Sequence, residues 1–522
     1  MAESLEILLF ATTCLFLLLG FPVAFTLGGV ALAFAFIGDA FGVFSLRSLA
    51  FYPQRIFGLM SSEVLVAVPL FIFMGLILER SRVAQDLLTS MASLFGRKRG
   101  GLLFSVTIVG ALMAASTGIV GATVVTMGLL SLPVMLKHGY DPKIATGSIC
   151  ASGTLGQIIP PSIVLVFLGD IMTYANQQAN LQTGNVTGRS VSVGDLFAGA
   201  LLPGLMLVAL YLAWQAFVAW RNPSACPPLP PDALEENDEP RWRLLVRALL
   251  APTALIVAVL GSILGGVATP TEAAGVGAVG ALFLAASRLS TVGHRLVLAA
   301  VGAGAILLVL NALFDLRLGR SEIGLGDQAA VWLSMALSCL LIAVTLVSIA
   351  ITWRAKILWG AVFQTARITA MVFAVVIGAS LFSLTFRGLG GEETVRDFLT
   401  GLPGGLTGAM LIVMAVMFIM GFFLDFLEII FIVVPIVCPI LIVMGADPVW
   451  LGVMIAVNLQ TSFLTPPFGF ALFFLRGVAP PEVRTLQIYR GVIPFVAIQL
   501  LALTLLALFP EIGTWLPHHL YG

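Results

Sequence analysis

Charge is what this chain has least of: only 10% of its 522 residues are Asp, Glu, Lys or Arg, divided evenly into 26 acidic and 26 basic. So few charges fall far outside the range of a soluble domain, and the neutral balance offers no basic face for nucleic acid. Cysteine is also scarce. Cys14, Cys150, Cys226, Cys339 and Cys438 are scattered with no CxxC spacing, so neither a disulfide framework nor a zinc site is indicated. His138, His294, His518 and His519 form no HExxH pattern, and no GxSxG elbow occurs, which removes the usual signatures of a membrane peptidase or hydrolase. A channel's repeated filter or ring of charge is missing too. The amino terminus lacks a basic region and a small-residue cleavage site, so its apolar run reads as a retained span.

What remains is apolar: 59% of residues are hydrophobic and the mean hydropathy is +1.08. A helix crosses a bilayer with about 20 apolar residues. Such runs lie near 5–20, 21–38, 64–80, 144–172, 195–220, 244–264, 270–287, 296–314, 330–353, 357–385, 449–476 and 491–510. The chain therefore reads as an all-α polytopic membrane protein. Stretches 101–137 and 405–444 are too long for one span, and each is interrupted near its centre, by "AASTGIVGA" and "MGFFLDFLE". Arg97, Lys98 and Arg99 precede the first stretch and Lys137 and Lys143 close it, whereas acids dominate the flanks of the second. Basic loops stay in the cytoplasm, so both ends of the first lie inside and both ends of the second outside. Each then reads as a re-entrant helical hairpin, and the same parity puts both chain termini on the periplasmic side.

Shifted by 306 residues, the chain aligns with itself. Pro133 meets Pro439, Gly139 meets Gly445, Asp141-Pro142 meets Asp447-Pro448, and Pro160-Pro161 meets Pro466-Pro467. The charge pattern places the two copies on opposite sides, so they are inverted repeats, each with a hairpin and a broken helix. Secondary transporters share this architecture and bind at the midplane between repeats. Proline lacks an N–H and clashes with the carbonyl four residues back, so Pro161 and Pro467 mark structural breaks that free backbone groups. In hydrocarbon such groups are tolerated only where protein, water or ions meet them.

The residues beside the breaks bear oxygen or are small, which suits a hard cation such as Na⁺. One candidate sodium site combines Ser116, Thr117 and Gly118 with Ser152, Gly153 and Thr154. The other combines Gly421 and Asp425 with Asn458, Thr461, Ser462 and Thr465. Gln157, Pro160, Gln460, Pro466 and Glu428 are the substrate candidates. Small residues also let membrane helices pack closely, and Asp425 suits a helix cap as well as a cation. Thr269 and Glu272, around Pro270, read as a capping box at a helix start. Asp170 and its counterpart Arg476 read as interface anchors. No arginine within a span presents itself as a carboxylate ligand. The Pro-rich acidic segment 222–240 reads as an extended or disordered cytoplasmic linker, and 173–194 as a periplasmic loop.

The motifs "SGTLGQIIPPS", "ATPTEAAGVGAVGAL", "GFFLDFLEIIFIVVPI" and "NLQTSFLTPPFG" resemble the large membrane subunit of tripartite ATP-independent periplasmic (TRAP) transporters, with some likeness to the mannitol and chloroaromatic subfamily. The resemblance implies an elevator-type subunit of the bacterial inner membrane, coupled to sodium, that imports an organic acid. Its implied partners are a small four-helix membrane subunit and a periplasmic substrate-binding protein. A stand-alone carrier without a binding protein is the alternative. Gly121-Ala122 stand where the family commonly carries an Ala-Asp pair, which weakens a carboxylate role there. The division expected is scaffold spans at 1–63, a first repeat at 64–194, further scaffold at 195–290, a two-span insertion at 291–355, a second repeat at 356–486 and a final span at 487–522.

Overall fold

A computed structural model describes residues 4–81, 83–184, 190–230, 241–317, 324–467 and 469–521; the side chains of residues 84, 117, 241–248 and 325 are also outside the description. The described residues are helical, without strands. The first half contains α1 (Leu5–Leu18), α2 (Val23–Ala40), α3 (Tyr52–Met60), α4 (Glu63–Arg80), α5 (Val83–Phe95), α6 (Gly101–Thr117), α7 (Val120–Lys137), α8 (Pro142–Thr154), α9 (Ile163–Thr183) and α10 (Val193–Arg221). Between the halves lie α11 (Arg241–Leu264), α12 (Pro270–Leu289), α13 (Thr291–Leu313) and α14 (Leu325–Arg354). The second half runs through α15 (Ile357–Gly388), α16 (Gly391–Thr400), α17 (Gly405–Met420), α18 (Phe426–Ile432), α19 (Val434–Val443), α20 (Pro448–Leu464), α21 (Phe470–Val478), α22 (Thr485–Leu508) and α23 (Glu511–Tyr521). Among the described residues, eight helices are long and apolar enough to cross a membrane, or up to ten if each bent pair is one span.

The repeat is visible helix by helix. Asp141 caps α8 and Asp447 caps α20, each followed by proline in the first turn, and each carboxylate accepts a backbone N–H at 2.8 Å. Proline at that position loses nothing, because its missing N–H would have no helical partner. The two halves then exchange partners: α8 packs along α22 and α20 along α10, while α7 meets α21 and α9 meets α19. The outer helices cross in the same manner, α12 lying on α4 and α2 on α15. At the α8–α22 crossing a Cβ on Gly147 or Gly491 would collide with the backbone of the facing helix. Small residues at that seam bring the backbones together.

Several elements depart from the sequence reading. The short helices α3, α5, α16 and α23 were not anticipated, because they are 9 to 13 residues long, too short for a search by spanning length. Residues 173–183 are not loop but the continuation of α9, which ends at Gly184 in a left-handed conformation with φ 70°. The second hairpin's returning arm is two helices, α18 and α19, bent by 54°, with Pro435 in the first turn after the bend. Residues 222–230 of the expected linker are not disordered: Pro223–Ala225 form a 3-10 turn, and backbone hydrogen bonds tie the segment to the rest of the protein. Cys226 O accepts from Gly100 N at 3.0 Å, Ala225 O from Asp141 N at 3.0 Å, and Leu229 N donates to Gly96 O at 2.7 Å. This strap fastens the bases of α6 and α8. The remaining linker residues, 231–240, fall outside the described residues.

Residues 291–355, expected from the sequence as a two-span insertion, hold α13 and α14, which pack on each other and on α12. Only 17% of each spanning window is covered by protein, the burial expected of helices at the lipid-facing rim.

Candidate functional site

Each hairpin tip touches the broken helix of its own repeat. At the first tip α6 ends on Gly118, whose φ of 60° suits a residue without a Cβ. A Cβ there would come within 3.3 Å of Ile163 and 3.6 Å of the Pro161 carbonyl. At the second tip a Cβ on Gly421 would run into Ser462, just before the second break. The peptide bonds Pro160-Pro161 and Pro466-Pro467 are both cis. The breaks differ in cover: Pro160 and Pro161 are buried, whereas Pro466 is half-buried and Pro467 exposed.

The hydroxyls beside the breaks share one arrangement. Ser116 donates to Met113 O at 2.9 Å, Thr154 to Ala151 O at 2.9 Å, Thr461 to Val457 O at 2.7 Å, Ser462 to Leu459 O at 2.7 Å and Thr465 to Thr461 O at 2.7 Å. A hydroxyl that gives its hydrogen to its own helix keeps two lone pairs for something else. Thr117 lies at the first tip, but its side chain is outside the described residues. Ser152 is placed elsewhere, donating to Ser148 O at 2.5 Å and lying 3.3 Å from the Thr107 hydroxyl. Gly153 lies against Val124 of α7, where a Cβ would not fit. Asn458 joins α20 to the outgoing hairpin arm, its Nδ2 donating to Met414 O at 2.9 Å.

Between the repeats is a buried cluster of polar side chains. The Gln460 amide donates to Thr154 Oγ1 at 3.5 Å, and the Gln499 amide donates to the same oxygen at 3.4 Å and to the Tyr211 hydroxyl at 2.7 Å. All four residues are wholly buried. Among the described residues, the amide oxygens of Gln460 and Gln499 have no hydrogen-bond partner, and Gln157 has none for either of its side-chain polar atoms. Buried amide groups without partners carry a desolvation penalty of about 1–3 kcal/mol each, so these positions are poised for water or a ligand. Tyr211 and Gln499 were missed in the sequence because they lie mid-helix, away from any break. Gln215, on the same face of α10, reaches Thr107 at 2.6 Å and Ser148 at 3.1 Å and extends the polar strip toward Ser152.

The acids at the second tip form a reciprocal cap. Asp425 Oδ1 accepts from Phe426 N at 2.7 Å while Glu428 Oε2 accepts from Asp425 N at 3.1 Å. Thr269 and Glu272 make the same box at the start of α12, with Glu272 Oε2 accepting at 2.8 Å and Thr269 Oγ1 at 3.3 Å, on the exposed surface. Asp170 is not at a free helix end: it lines a cavity with Arg55, Tyr174 and Arg387. Arg476 donates to the Val483 carbonyl at 2.5 Å.

Comparison with known proteins follows this architecture across the whole chain. The profile of the tripartite ATP-independent periplasmic transporter DctM component matches residues 10–351 and 320–512. The C4-dicarboxylate TRAP transporter large permease protein DctM of Vibrio cholerae is 28% identical, over 99% of this chain and 98% of its own length. The ectoine/5-hydroxyectoine permease UehC of Ruegeria pomeroyi is 26% identical, over 97% of each chain. The sialic acid permease SiaM of V. cholerae is 24% identical, over 96% of each. Among solved structures, the YdaH transporter of Alcanivorax borkumensis superposes with a TM-score of 0.51 at 16% identity, covering 91% of this chain and 90% of its own, a likeness of fold alone. With its two matched segments spanning both repeats, the chain belongs to the DctM component family of tripartite ATP-independent periplasmic transporters.

Proposed function

We propose that this chain is the membrane permease of a sodium-coupled importer for a small organic acid, loaded by a periplasmic binding protein and completed by a small four-helix membrane subunit. It would act in the bacterial inner membrane with both termini periplasmic. The observation that carries the reading is the pair of hairpin tips, each seated on the break of its own repeat beside hydroxyls whose hydrogens are already donated. Neutral oxygens with free lone pairs suit Na⁺, which takes oxygen ligands and needs no fixed carboxylate. Ser116, Thr461, Ser462 and Thr465 offer such oxygens, and Asp425 adds a charge. The organic acid would lie between the breaks, against Gln157, Pro160, Gln460 and Pro466, with Glu428 beneath the second tip.

In this scheme cation binding draws each tip onto its break, and the repeat core then moves against α2, α4, α12 and α15 in an elevator stroke. The relatives are named for C4-dicarboxylates, ectoines and sialic acid, which supports a small carboxylate as the substrate class. Reconstitution in liposomes with both partners, a sodium gradient and these three compounds tests the proposal. Uptake should require sodium and the binding protein together. Uptake that persists without either would overturn the coupling scheme, and loss of the binding-protein requirement alone would make this a stand-alone carrier.

A further inference from the structure

A cavity of about 520 Å³ lies between α3, α9, α15 and the bend of α18–α19, away from the two breaks. That volume falls within the range of small-molecule pockets. Arg55, Asp170, Tyr174, Ser383 and Arg387 are among its walls. Arg387 is held on all sides: its guanidinium donates to the Tyr174 hydroxyl at 2.9 Å, to Gln178 Oε1 at 3.1 Å and to the Pro435 carbonyl at 3.1 Å. Glu392 lies 3.4 Å from its Nε and balances its charge. Three of the five N–H groups of Arg387 are thus spent within the protein and its charge is balanced, which makes it chiefly a wall of the cavity.

Arg55 is the opposite case. It is half-buried, and among the described residues it makes no hydrogen bond or ion pair. A guanidinium with five donors, partly withdrawn from water, is a costly thing to leave unmatched. Asp170 shares the cavity, also without an ion pair or hydrogen bond among the described residues, and lies beyond ion-pair reach of either arginine. The Tyr174 hydroxyl accepts from Arg387 and still has its own hydrogen to give. One wall thus lacks an acceptor and another lacks a donor.

We propose that this cavity is a second ligand site, separate from the breaks, for a small carboxylic acid carrying a hydroxyl or ammonium at its other end. Arg55 receives the carboxylate, assisted by the Tyr174 and Ser383 hydroxyls, and Asp170 accepts from the far donor. A dicarboxylate of the same length is disfavoured, because its second carboxylate would face Asp170. The inference deepens the transport reading by naming what the protein can hold before the breaks are reached, and takes from it only the small-carboxylate class.

The test uses the full chain in detergent and sodium-free buffer, where neither uptake nor ion coupling is measured. Gly58 lines the cavity, and a side chain there meets nothing within 4 Å, so Gly58→Cys provides a reporter thiol. Its modification by an anionic methanethiosulfonate is followed by mass spectrometry of the modified peptide. Arg55→Gln should slow this reaction about fivefold, as loss of a focused positive charge does, and Arg55→Lys should restore most of the rate. γ-Aminobutyrate should protect the thiol when Arg55 is present and not in Arg55→Gln, and glutarate should protect only after Asp170→Asn. Equal rates with and without Arg55, no protection by γ-aminobutyrate, or equal protection by glutarate in the unmodified cavity would each overturn the proposal. Failure here leaves sodium-driven uptake standing, and failed uptake leaves these rates readable.

Discussion

The Gln460 side-chain amide lies 3.5 Å from the hydroxyl of Thr154, and the two residues are 306 positions apart, the period of the repeat. Each is the other's counterpart, so the duplicated halves meet through the same position of both copies. A residue that contacts its own equivalent sits on the axis relating the copies. Gln499 reaches the same hydroxyl from α22, which makes Thr154 Oγ1 the shared acceptor for two amides.

Thr154→Ala removes that acceptor, which leaves the buried Gln460 amide without it and Gln499 with Tyr211 alone. The loss is expected to be about 1–3 kcal/mol, read as a lower melting temperature in detergent, with reduced sodium-driven uptake in liposomes. Thr154→Ser keeps the oxygen and should recover most of both.

Asp425 separates two roles that its position combines. Asparagine caps a helix about as well as aspartate, whereas alanine costs about 0.5–2 kcal/mol. Asp425→Asn should therefore melt near the unmodified protein yet lose at least about tenfold of sodium-stimulated uptake, a difference of about 1.4 kcal/mol at the barrier. Unchanged uptake in Asp425→Asn would reduce this carboxylate to a cap.

The α8–α22 seam gives a packing prediction. A Cβ at Gly491 would collide with the Lys143 carbonyl, a backbone atom with no rotamer to yield. Gly491→Ala should destabilise by about 1–3 kcal/mol, the usual consequence of overpacking. The control is Gly302→Ala, on the exposed face of α13 with nothing within 4 Å, where melting should be unchanged or slightly higher because alanine favours helix.

The topology is tested by reporters. Alkaline phosphatase fused after Gly522 should be active under the proposed topology, in which the parity of charged loops assigns the carboxyl terminus to the periplasm. Arg97→Cys, in the basic loop before α6, should react with an impermeant thiol reagent only after the cells are opened. The opposite pair of results would invert the assignment.

The residues that punctuate helices were legible in the sequence: the paired prolines break them, and the hairpin interruptions fall at Gly118 and Gly421. Proline and glycine act locally, so their effects survive without tertiary context. The amphipathic α16, "GEETVRDFLT", escaped because its mean hydropathy is low and only its one-sided pattern marks it. Tyr211 and Gln499 carried a usable signal, as polar groups deep in apolar helices, but nothing in the sequence said that they face each other across 288 positions. Arg387 lies at the end of α15 and Arg55 on a short helix, so only the packing of four elements shows them sharing one space. The order seen at 222–230 likewise depends on partners far away, at Gly96, Gly100 and Asp141.

The exchange of partners between halves has a consequence for how the chain is made. Thr154 and Gln157 leave the ribosome long before Gln460, Gln499 and α22, which complete their surroundings. At about 5–20 residues per second, 306 residues take roughly 15–60 s of translation. For that interval the first repeat holds an unfinished polar seam inside the bilayer, which the membrane insertion machinery or lipid headgroups must shelter.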